Sequence, residues 1–212
     1  MAKHQRDSKK ETIITAAEEE FKQKGYDGAR MMEIANRAGV GHPLLHYHFS
    51  NKKKLFQHVI RRKFNILSQS MLVFLDETDI DILEIIKSMV IRHFDFVQQH
   101  GDYIRMVVNE FEKNPELIDE IKPAVVEQLM QTSDKLQKKL DEAASAGKIC
   151  PIKASDLLLD IVSLNMSCIW TTPLLRSATG RTNDCDLIGS RKSENIKMIL
   201  GRLRPYNNPD IE

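Results

Sequence analysis

The hydrophobic positions near the start of the chain recur at the spacing of an α-helix. Ser8 and Glu11 can form a capping box, in which each side chain accepts a hydrogen bond from the other residue's backbone amide. A narrow apolar stripe follows at helical intervals: Ile13, Ala16, Ala17 and Phe21. Because glycine readily adopts the positive φ that ends many helices, Gly25 is expected to end this first helix.

Two shorter helices are predicted next, on either side of a glycine turn. The segment from Met31 to Ala38 carries its apolar residues on one side, and Gly39 breaks the pattern. Proline is tolerated in the first turn of a helix, where its missing amide would have no partner, so Pro43 is expected to begin a third helix that runs to about Phe49. Three short helices with a tight turn before the last are typical of the helix-turn-helix plan.

The remainder of the chain keeps helical periodicity and shows no alternating, strand-like segment. Ser50 or Asn51 can cap a fourth helix that is long enough to connect two domains. Later helices are predicted at residues 82–100, 102–112, 115–146, 157–170 and 190–203. Pro123 should kink or split the third of these at Lys122, and Pro173 should end the fourth. We therefore predict an all-α fold, with a helix-turn-helix DNA-binding domain at 1–53 and a helical effector-binding and dimerisation domain at 54–212.

Charge is unevenly distributed along the chain, although the net charge is only +1. Residues 1–65 contain 14 Lys or Arg against 7 Asp or Glu, whereas the remainder contains 17 against 23. A basic segment on an otherwise acidic chain suits a nucleic-acid-binding module, because phosphates attract it whatever the base sequence. A merely solvated basic face has the same composition, so charge alone leaves both interpretations open.

The overall composition, with 42% hydrophobic and 29% charged residues, is typical of a soluble globular protein. No uncharged apolar run approaches the roughly 20 residues that span a bilayer, and the N-terminus lacks the apolar core of a signal peptide. We therefore expect a cytoplasmic protein without membrane contact. Cys150, Cys168 and Cys185 are too few and too widely spaced for a disulfide framework or a zinc knuckle, so reduced, packed thiols are expected. A redox role for Cys168 stays open, and no cofactor is expected.

The third helix carries the residues best suited to contact DNA. A tight turn at Gly39 lets this helix cross the second at a steep angle and project its N-terminal half into the major groove. Leu44 and Pro43 can contact thymine methyl groups, and Tyr47 can pack on a sugar or hydrogen-bond a phosphate. The residues predicted to hold the two helices together are Ile34, Ala35, Val40 and Leu45. The histidines predicted to contact phosphates or bases are His42 and His48, with Lys52 adding charge at the start of the fourth helix.

Three other interpretations compete with DNA binding. A metal site at His42, His46 and His48 has adequate spacing, but no fourth ligand lies nearby in sequence and the surroundings are cationic, so no bound metal is expected. An enzyme is disfavoured because the chain lacks a G-x-S-x-G elbow, a P-loop, an H-E-x-x-H motif and Rossmann glycines; Asp156 and Asp160 are read as a solvated or interface pair. A helical adaptor that binds an acidic protein through its basic N-terminal module remains an alternative.

The N-terminal segment, from about Ser8 to Arg62, also resembles the tetracycline-repressor (TetR) family of one-component transcriptional regulators. The residues that carry the resemblance, in order and at matching spacing, are Ile13, Ala16, Ala17, Phe21, Gly25, Tyr26, Ile34, Ala35, Ala38, Gly39, Val40, Leu45, Tyr47, His48, Phe49, Asn51, Lys52 and Leu55. Three positions depart from the family pattern: Arg30 follows an alanine where a threonine or serine cap is usual, Gly41 replaces a serine, and His46 replaces a tyrosine. The operator preference is therefore not transferable.

The resemblance implies a regulator, expected to be a repressor, that acts as a homodimer on a palindromic DNA operator and responds to an unknown small-molecule effector. Transferred position by position, the DNA contacts implied are Arg30, Met31, His42, Pro43, Leu44, His46, Tyr47, His48 and Lys52. The last two long helices would form the dimer interface, through Ile161, Leu164, Cys168, Ile196, Ile199, Leu200 and Leu203. Candidate residues for the effector pocket, where flexible methionines would suit an adaptable site, are Met106, Phe111, Asn165, Met166 and Trp170.

Overall fold

A computed structural model describes residues 2–72, 75, 80–119, 122–180 and 184–205. In chain order the helices of this part of the chain are α1 (Ala2–Gly28), α2 (Met31–Arg37), α3 (His42–His48), α4 (Lys52–Leu72), α5 (Ile82–Lys113), α6 (Glu116–Asp119), α7 (Lys122–Ser145), α8 (Ala154–Thr179) and α9 (Asp184–Leu203). The predicted all-α fold class is confirmed.

The chain folds as two compact units. Unit 1 comprises Met1–Ile66 and Asp102–Val126, and its core is formed by the apolar faces of α1 to α4. Phe21 and Phe56 meet edge to face, with ring centroids 4.9 Å apart, which is a favoured aromatic geometry. Complete burial of one such large side chain contributes about 2 kcal/mol. The same core also takes in residues from α5 and α6: Tyr103, Met106 and Leu117.

Unit 2 comprises Leu67–Gly101 and Glu127–Glu212. Its core contains buried side chains from four helices: Ile85, Ile86, Met89 and Val90 of α5, Leu136 and Leu140 of α7, Leu157 and Ile161 of α8, and Ile199 and Leu203 of α9. The two units do not follow the sequence-based division after residue 53, because α5 belongs to unit 2 up to Gly101 and to unit 1 after it. The functional boundary at residue 53 stays a prediction.

The predicted helix stops and caps are confirmed where the backbone demands them. Gly25, Gly39 and Gly147 have φ of 67°, 62° and 69°, the left-handed region that favours glycine, and at Gly25 the first helical piece of α1 ends in a kink before the short piece that reaches Gly28. Asn51 caps α4, because its Oδ1 accepts a hydrogen bond from the backbone amide of Lys54 at 2.9 Å. The predicted kink or split at Lys122 stays a prediction, because residues 120–121 lie outside the described residues; α7 is described from Lys122 and holds Pro123 in its first turn.

The predicted start of the first helix was wrong, whereas the predicted break in the middle of the chain lies where it was expected. The first helix begins at Ala2 instead of being capped at Ser8, because good helix formers precede the apolar stripe. The break predicted between the helices at 82–100 and 102–112 is found, because α5 consists of two helical pieces that meet at a kink at His100 (φ −118°, ψ 18°).

Two boundaries near the end of the chain also differ from the prediction. α8 continues through Pro173 to Thr179, and α9 begins at Asp184 instead of Ser190. A proline inside a helix removes one hydrogen-bond donor and bends the backbone. Residues 171–174 are exposed or half-buried, so no tight packing prevents the helix from bending there and continuing past Pro173. Residues 181–183, between these two helices, lie outside the described residues.

α8 is apolar on two opposite faces. Its segment Ala154–Leu174 is long and apolar enough to cross a membrane by length and composition, which the sequence analysis did not anticipate. Core helices of soluble proteins pass the same test, and one face of α8 packs into unit 2 through Leu157 and Ile161. The opposite face leaves large apolar side chains exposed: Leu159, Val162, Trp170 and Leu174.

Candidate nucleic-acid interface

The turn between α2 and α3 is built on Gly39 and the residues beside it. The amide of Gly39 donates to the Asn36 carbonyl at 3.1 Å, and the amide of Val40 donates to the Ala35 carbonyl at 3.0 Å. A Cβ at Gly39 would meet nothing within 4 Å, so its positive φ alone accounts for the glycine. Ile34 and Leu45 are fully buried across this turn, which fixes the angle between the two helices.

α3 separates an anchoring side from an outward side, as the sequence predicts. Leu45 is fully buried and Phe49, at the C-cap, is nearly so. Tyr47 is 71% exposed. Of the other predicted contacts on this helix, Pro43 and His46 are exposed, whereas His42, Leu44 and His48 are half-buried. The outward side can therefore reach a ligand without disturbing the core of unit 1.

His42 and His46 form a pair on the outward side of α3. Their Nε2 atoms lie 3.2 Å apart, and the second ring nitrogen of His46 lies 3.4 Å from the carbonyl oxygen of Ser50. Hydrogen bonding between the rings requires that one Nε2 donates and the other accepts, so the pair orders both side chains. Within the described part of the chain, no group of three His, Cys, Asp or Glu residues could hold a metal ion.

A buried carboxylate that sequence reasoning missed ties α2 to α1. Glu20 of α1 is fully buried and lies 2.7 Å from Lys24 Nζ and 3.3 Å from Arg37 Nη2. Burial alone would raise the pKa of Glu20, but Lys24, Arg37 and a hydrogen bond from the Arg30 backbone together lower it. Glu20 thus ties α1 to Arg37 at the end of α2, whereas the N-cap residue Arg30 makes no side-chain capping bond. An acidic residue within the apolar stripe of α1 was the available signal.

The predicted contacts at the start of α2 differ in their exposure. Arg30 is exposed and can reach a phosphate. Met31 is half-buried against the core of unit 1, and the next residue, Met32, is 54% exposed. Met32 is therefore the better placed methionine for an external contact, which the sequence analysis did not identify.

Lys52 has a structural role in addition to its charge. Its Nζ donates to the carbonyl oxygens of Asp27 at 3.1 Å and Ala29 at 3.2 Å, and it lies 4.7 Å from the centre of the Tyr26 ring. Two of its three hydrogens are therefore committed to the connection between α1 and α2. The lysine ties that connection to the start of α4 and leaves one donor for a phosphate.

The basic character of this part of unit 1 shows in the environment of a further histidine. Burial is the main reason that the pKa of His58 is lowered. A group of nearby cations lowers it further: Lys10, Arg61 and Lys54. Phe49, at the end of α3, packs edge to face on the His58 ring at 5.2 Å, so this positive region adjoins α3.

The residues predicted to line an effector pocket are not brought together in one unit. Met106 and Phe111 pack in the core of unit 1. Asn165 is fully buried in unit 2 and hydrogen-bonds protein groups, whereas Met166 is half-buried and Trp170 is 44% exposed. A cleft of unit 2 contains none of the five; its lining includes Ile82, Ile85, Lys139, Glu142 and Lys148.

Several residues predicted for the dimer interface point into their own chain. Four of them are buried in the described chain, with 0 to 3% exposure, and have no surface to offer a partner: Ile161, Cys168, Ile199 and Leu203. The other three are half-buried and pack against the core of unit 2: Leu164, Ile196 and Leu200. Periodicity alone does not select the face of α8 that would meet a second copy, because this helix carries apolar residues on both sides, so the dimer interface stays a prediction. Burial also raises the pKa of the Cys168 thiol, against a reactive thiolate.

The chain is similar to known transcription regulators. The family model described as "Bacterial regulatory proteins, tetR family" matches residues 13–59. "HTH-type transcriptional regulator RutR" of Escherichia coli (strain K12) is 26% identical over 207 residues, which cover 93% of this chain and 92% of RutR. "HTH-type transcriptional activator FasR" of Mycolicibacterium smegmatis is 32% identical over 120 residues, which cover 56% of this chain and only 54% of FasR.

A solved structure extends the likeness to the whole fold. The structure of AibR in complex with isovaleryl coenzyme A and operator DNA superimposes with a TM-score of 0.63 at 16% identity, covering 90% of this chain and 97% of AibR. Because the family model matches the helix-turn-helix itself and the likeness to RutR extends over nearly the whole chain, the chain belongs to the tetR family of bacterial regulatory proteins, which are DNA-binding transcriptional regulators.

Proposed function

We propose that this chain regulates transcription by inserting the outward side of α3 into the major groove of an operator. The observation that carries the proposal is the exposure of Tyr47 on a helix whose other side is anchored by Leu45 and Phe49. An exposed aromatic ring on a short, rigid helix needs a partner to cover it. Family membership confirms the prediction that the chain is not an enzyme.

Phosphate contacts would come from the basic residues that flank α3. Arg30 is exposed at the start of α2, and Lys52 lies at the start of α4, where the helix dipole adds to its charge. Within the described residues His42, Pro43, Leu44, His46 and His48 accompany Tyr47 as candidate contacts. We expect phosphate contacts to dominate affinity and α3 to supply the sequence preference.

The operator would be bound by two copies of the chain. The exposed face of α8 carries Leu159, Val162, Trp170 and Leu174 along one side of the helix, and Met198 of α9 is 53% exposed. An exposed apolar face on a regulator is best covered by the same face of a second copy, since a two-fold axis makes one surface self-complementary. The alternative occupant, a lipid bilayer, is disfavoured because Asp160 on α8 pairs with Arg202 on α9. A DNA-bound dimer would be cytoplasmic.

Control by a small molecule is proposed from the likeness to AibR, which was solved with isovaleryl coenzyme A and operator DNA. In this chain Met166 and Trp170 remain candidate contacts, whereas Asn165 already has protein partners. We expect repression as the outcome of DNA binding. FasR is a transcriptional activator, so the direction of regulation has to be measured.

The test of this function is selection of bound duplexes from random DNA with the full chain. We expect a palindromic consensus and a binding constant that falls linearly with salt on a log-log plot. A flat salt plot would contradict phosphate-dominated binding. Selection without enrichment would instead favour the alternative function, a helical adaptor whose basic N-terminal module binds an acidic protein.

A further inference from the structure

A buried carboxylate of α5 holds the connection between α1 and α2. Glu110 is only 5% exposed, and its Oε1 accepts a hydrogen bond from the backbone amide of Tyr26 at 3.1 Å. Its Oε2 lies 3.4 Å from the side-chain amide of Asn114, which donates to it. Both of these donors are neutral amides, and 84 residues separate Glu110 from Tyr26 in the chain. The contact therefore joins a distant helix to the helix-turn-helix.

Gly25 allows this approach for two separate reasons. Its φ of 67° lies in the region that other residues rarely adopt. A Cβ at this position would also lie 2.8 Å from Oε1 of Glu110, closer than real Cβ contacts occur. A residue other than glycine would thus have to displace the carboxylate as well as strain the backbone. The position of the Glu110 carboxylate therefore depends on a glycine at position 25, and local sequence patterns cannot indicate this dependence.

The connection that Glu110 holds is the one that positions α2. From its other side Lys52 donates to the carbonyl oxygens of Asp27 and Ala29. The residue that follows, Arg30, is the N-cap of α2, and α2 carries α3 through the Gly39 turn. A change at Glu110 can therefore reach α3 through the short backbone segment that runs from Tyr26 through α2 and the Gly39 turn.

The helix that carries Glu110 also belongs to the core of unit 2. The part of α5 before its kink at His100 contributes Ile86 and Val90 to that core, and the part from Asp102 onward belongs to unit 1. We propose that Glu110 is the positioning residue through which α5 sets the α1–α2 connection and so regulates the DNA-binding geometry of α3. This inference rests on the proposed DNA-binding function. Loss of the carboxylate leaves the amide of Tyr26 without its buried acceptor, which releases the connection.

Paired substitutions on α5 test this role in the full chain. Glu110→Met keeps the length of the side chain and removes the acceptor, whereas Glu110→Gln keeps a neutral acceptor. Glu112→Met and Glu112→Gln are matched controls, because Glu112 lies on the same helix and is exposed. Each variant is titrated with the selected duplex in two experiments. A protein concentration well above Kd measures the fraction of active protein, and a concentration near Kd measures the affinity.

We expect Glu110→Met to weaken DNA binding about tenfold or more, with an unchanged active fraction. Glu110→Gln should restore part of the affinity, and both Glu112 variants should match the parent chain. A merely structural role predicts the opposite pattern, a smaller active fraction with unchanged affinity. That pattern, or parental affinity in Glu110→Met, would overturn the proposal.

Hydrogen exchange separates this inference from the proposed function. The amide of Tyr26 should exchange faster in Glu110→Met than in the parent, while the amide of Leu45 keeps its rate. Because coupling is reciprocal, DNA should slow exchange in residues 102–113 of the parent and leave them unchanged in Glu110→Met. A parent chain that selects no DNA refutes the function itself. A parent that binds DNA but shows no change at Tyr26 or in residues 102–113 refutes only the role of Glu110.

Discussion

The side-chain amide of Asn195 donates a hydrogen bond to Oδ1 of Asn165 across 2.8 Å, and both residues are fully buried in unit 2. Asn165 in turn donates to the carbonyl oxygen of Val90 at 3.0 Å and lies 3.1 Å from Nδ1 of His93. At the other end Arg191 Nε donates to Oδ1 of Asn195 at 2.8 Å. This chain of hydrogen bonds crosses α9, α8 and α5, so it adds directional contacts inside the apolar core that these three helices share.

Asn195→Ala is expected to destabilise the protein by about 3 kcal/mol, because it leaves the Asn165 carbonyl oxygen buried without a donor and opens a small cavity. Urea denaturation followed by circular dichroism measures this loss. Ser193→Ala, an exposed change two residues earlier on α9, is the control and should alter stability by less than about 0.5 kcal/mol. Equal urea midpoints for the two variants would show that the hydrogen-bond network makes no net contribution to the free energy of unfolding.

Stability is expected to fall with acidification below neutral pH because of His93. Burial lowers the pKa of His93 from 6.5 to about 4, so between these values the unfolded chain binds a proton that the folded chain does not. The unfolded state is then favoured as pH falls, by up to about 3 kcal/mol at pH 4. Glu20, whose pKa is lowered, adds a further loss only below its ordinary value of 4.5.

Comparison with His93→Gln isolates this effect. Glutamine keeps an acceptor for the Asn165 amide but does not titrate, so the difference in unfolding free energy between parent and variant should shrink as pH falls from 6.5 to 4. A difference that stays constant over that range would show that His93 titrates alike in both states.

Local patterns predicted the recognition region well and the long-range contacts poorly. The turn at Gly39 and the inward side of α3 follow from helical spacing and from the positive φ that only glycine adopts easily. Leu159 and Ile161 are both apolar, yet one is 64% exposed and the other fully buried, because α8 has two apolar faces and only packing decides between them. The Glu110 contact spans 84 residues and leaves no local trace.

Tyr47→Ala is expected to weaken operator binding and leave folding unchanged. The ring is 71% exposed, so the unfolding free energy should change by no more than about 0.5 kcal/mol. Loss of a groove contact should cost about 1–3 kcal/mol of binding, roughly ten- to a hundredfold in Kd. Leu45→Ala on the same helix is the contrasting variant, since removal of its buried side chain should cost about 2–5 kcal/mol of stability. Parental affinity of Tyr47→Ala in a gel-shift assay would refute the placement of this ring in the groove.

Leu159→Asp is expected to convert the proposed dimer into a folded monomer with much weaker operator binding. Leu159 is 64% exposed on the outer face of α8, so a carboxylate there is tolerated in the isolated chain but would be buried without a partner between two copies. Light scattering measures the mass, and the urea midpoint of the monomer reports its folding. Met130→Asp, at a 62% exposed position of α7 outside this face, should remain dimeric. A dimer in Leu159→Asp would place the interface elsewhere, whereas monomers in both variants would show a general loss of association unrelated to this face.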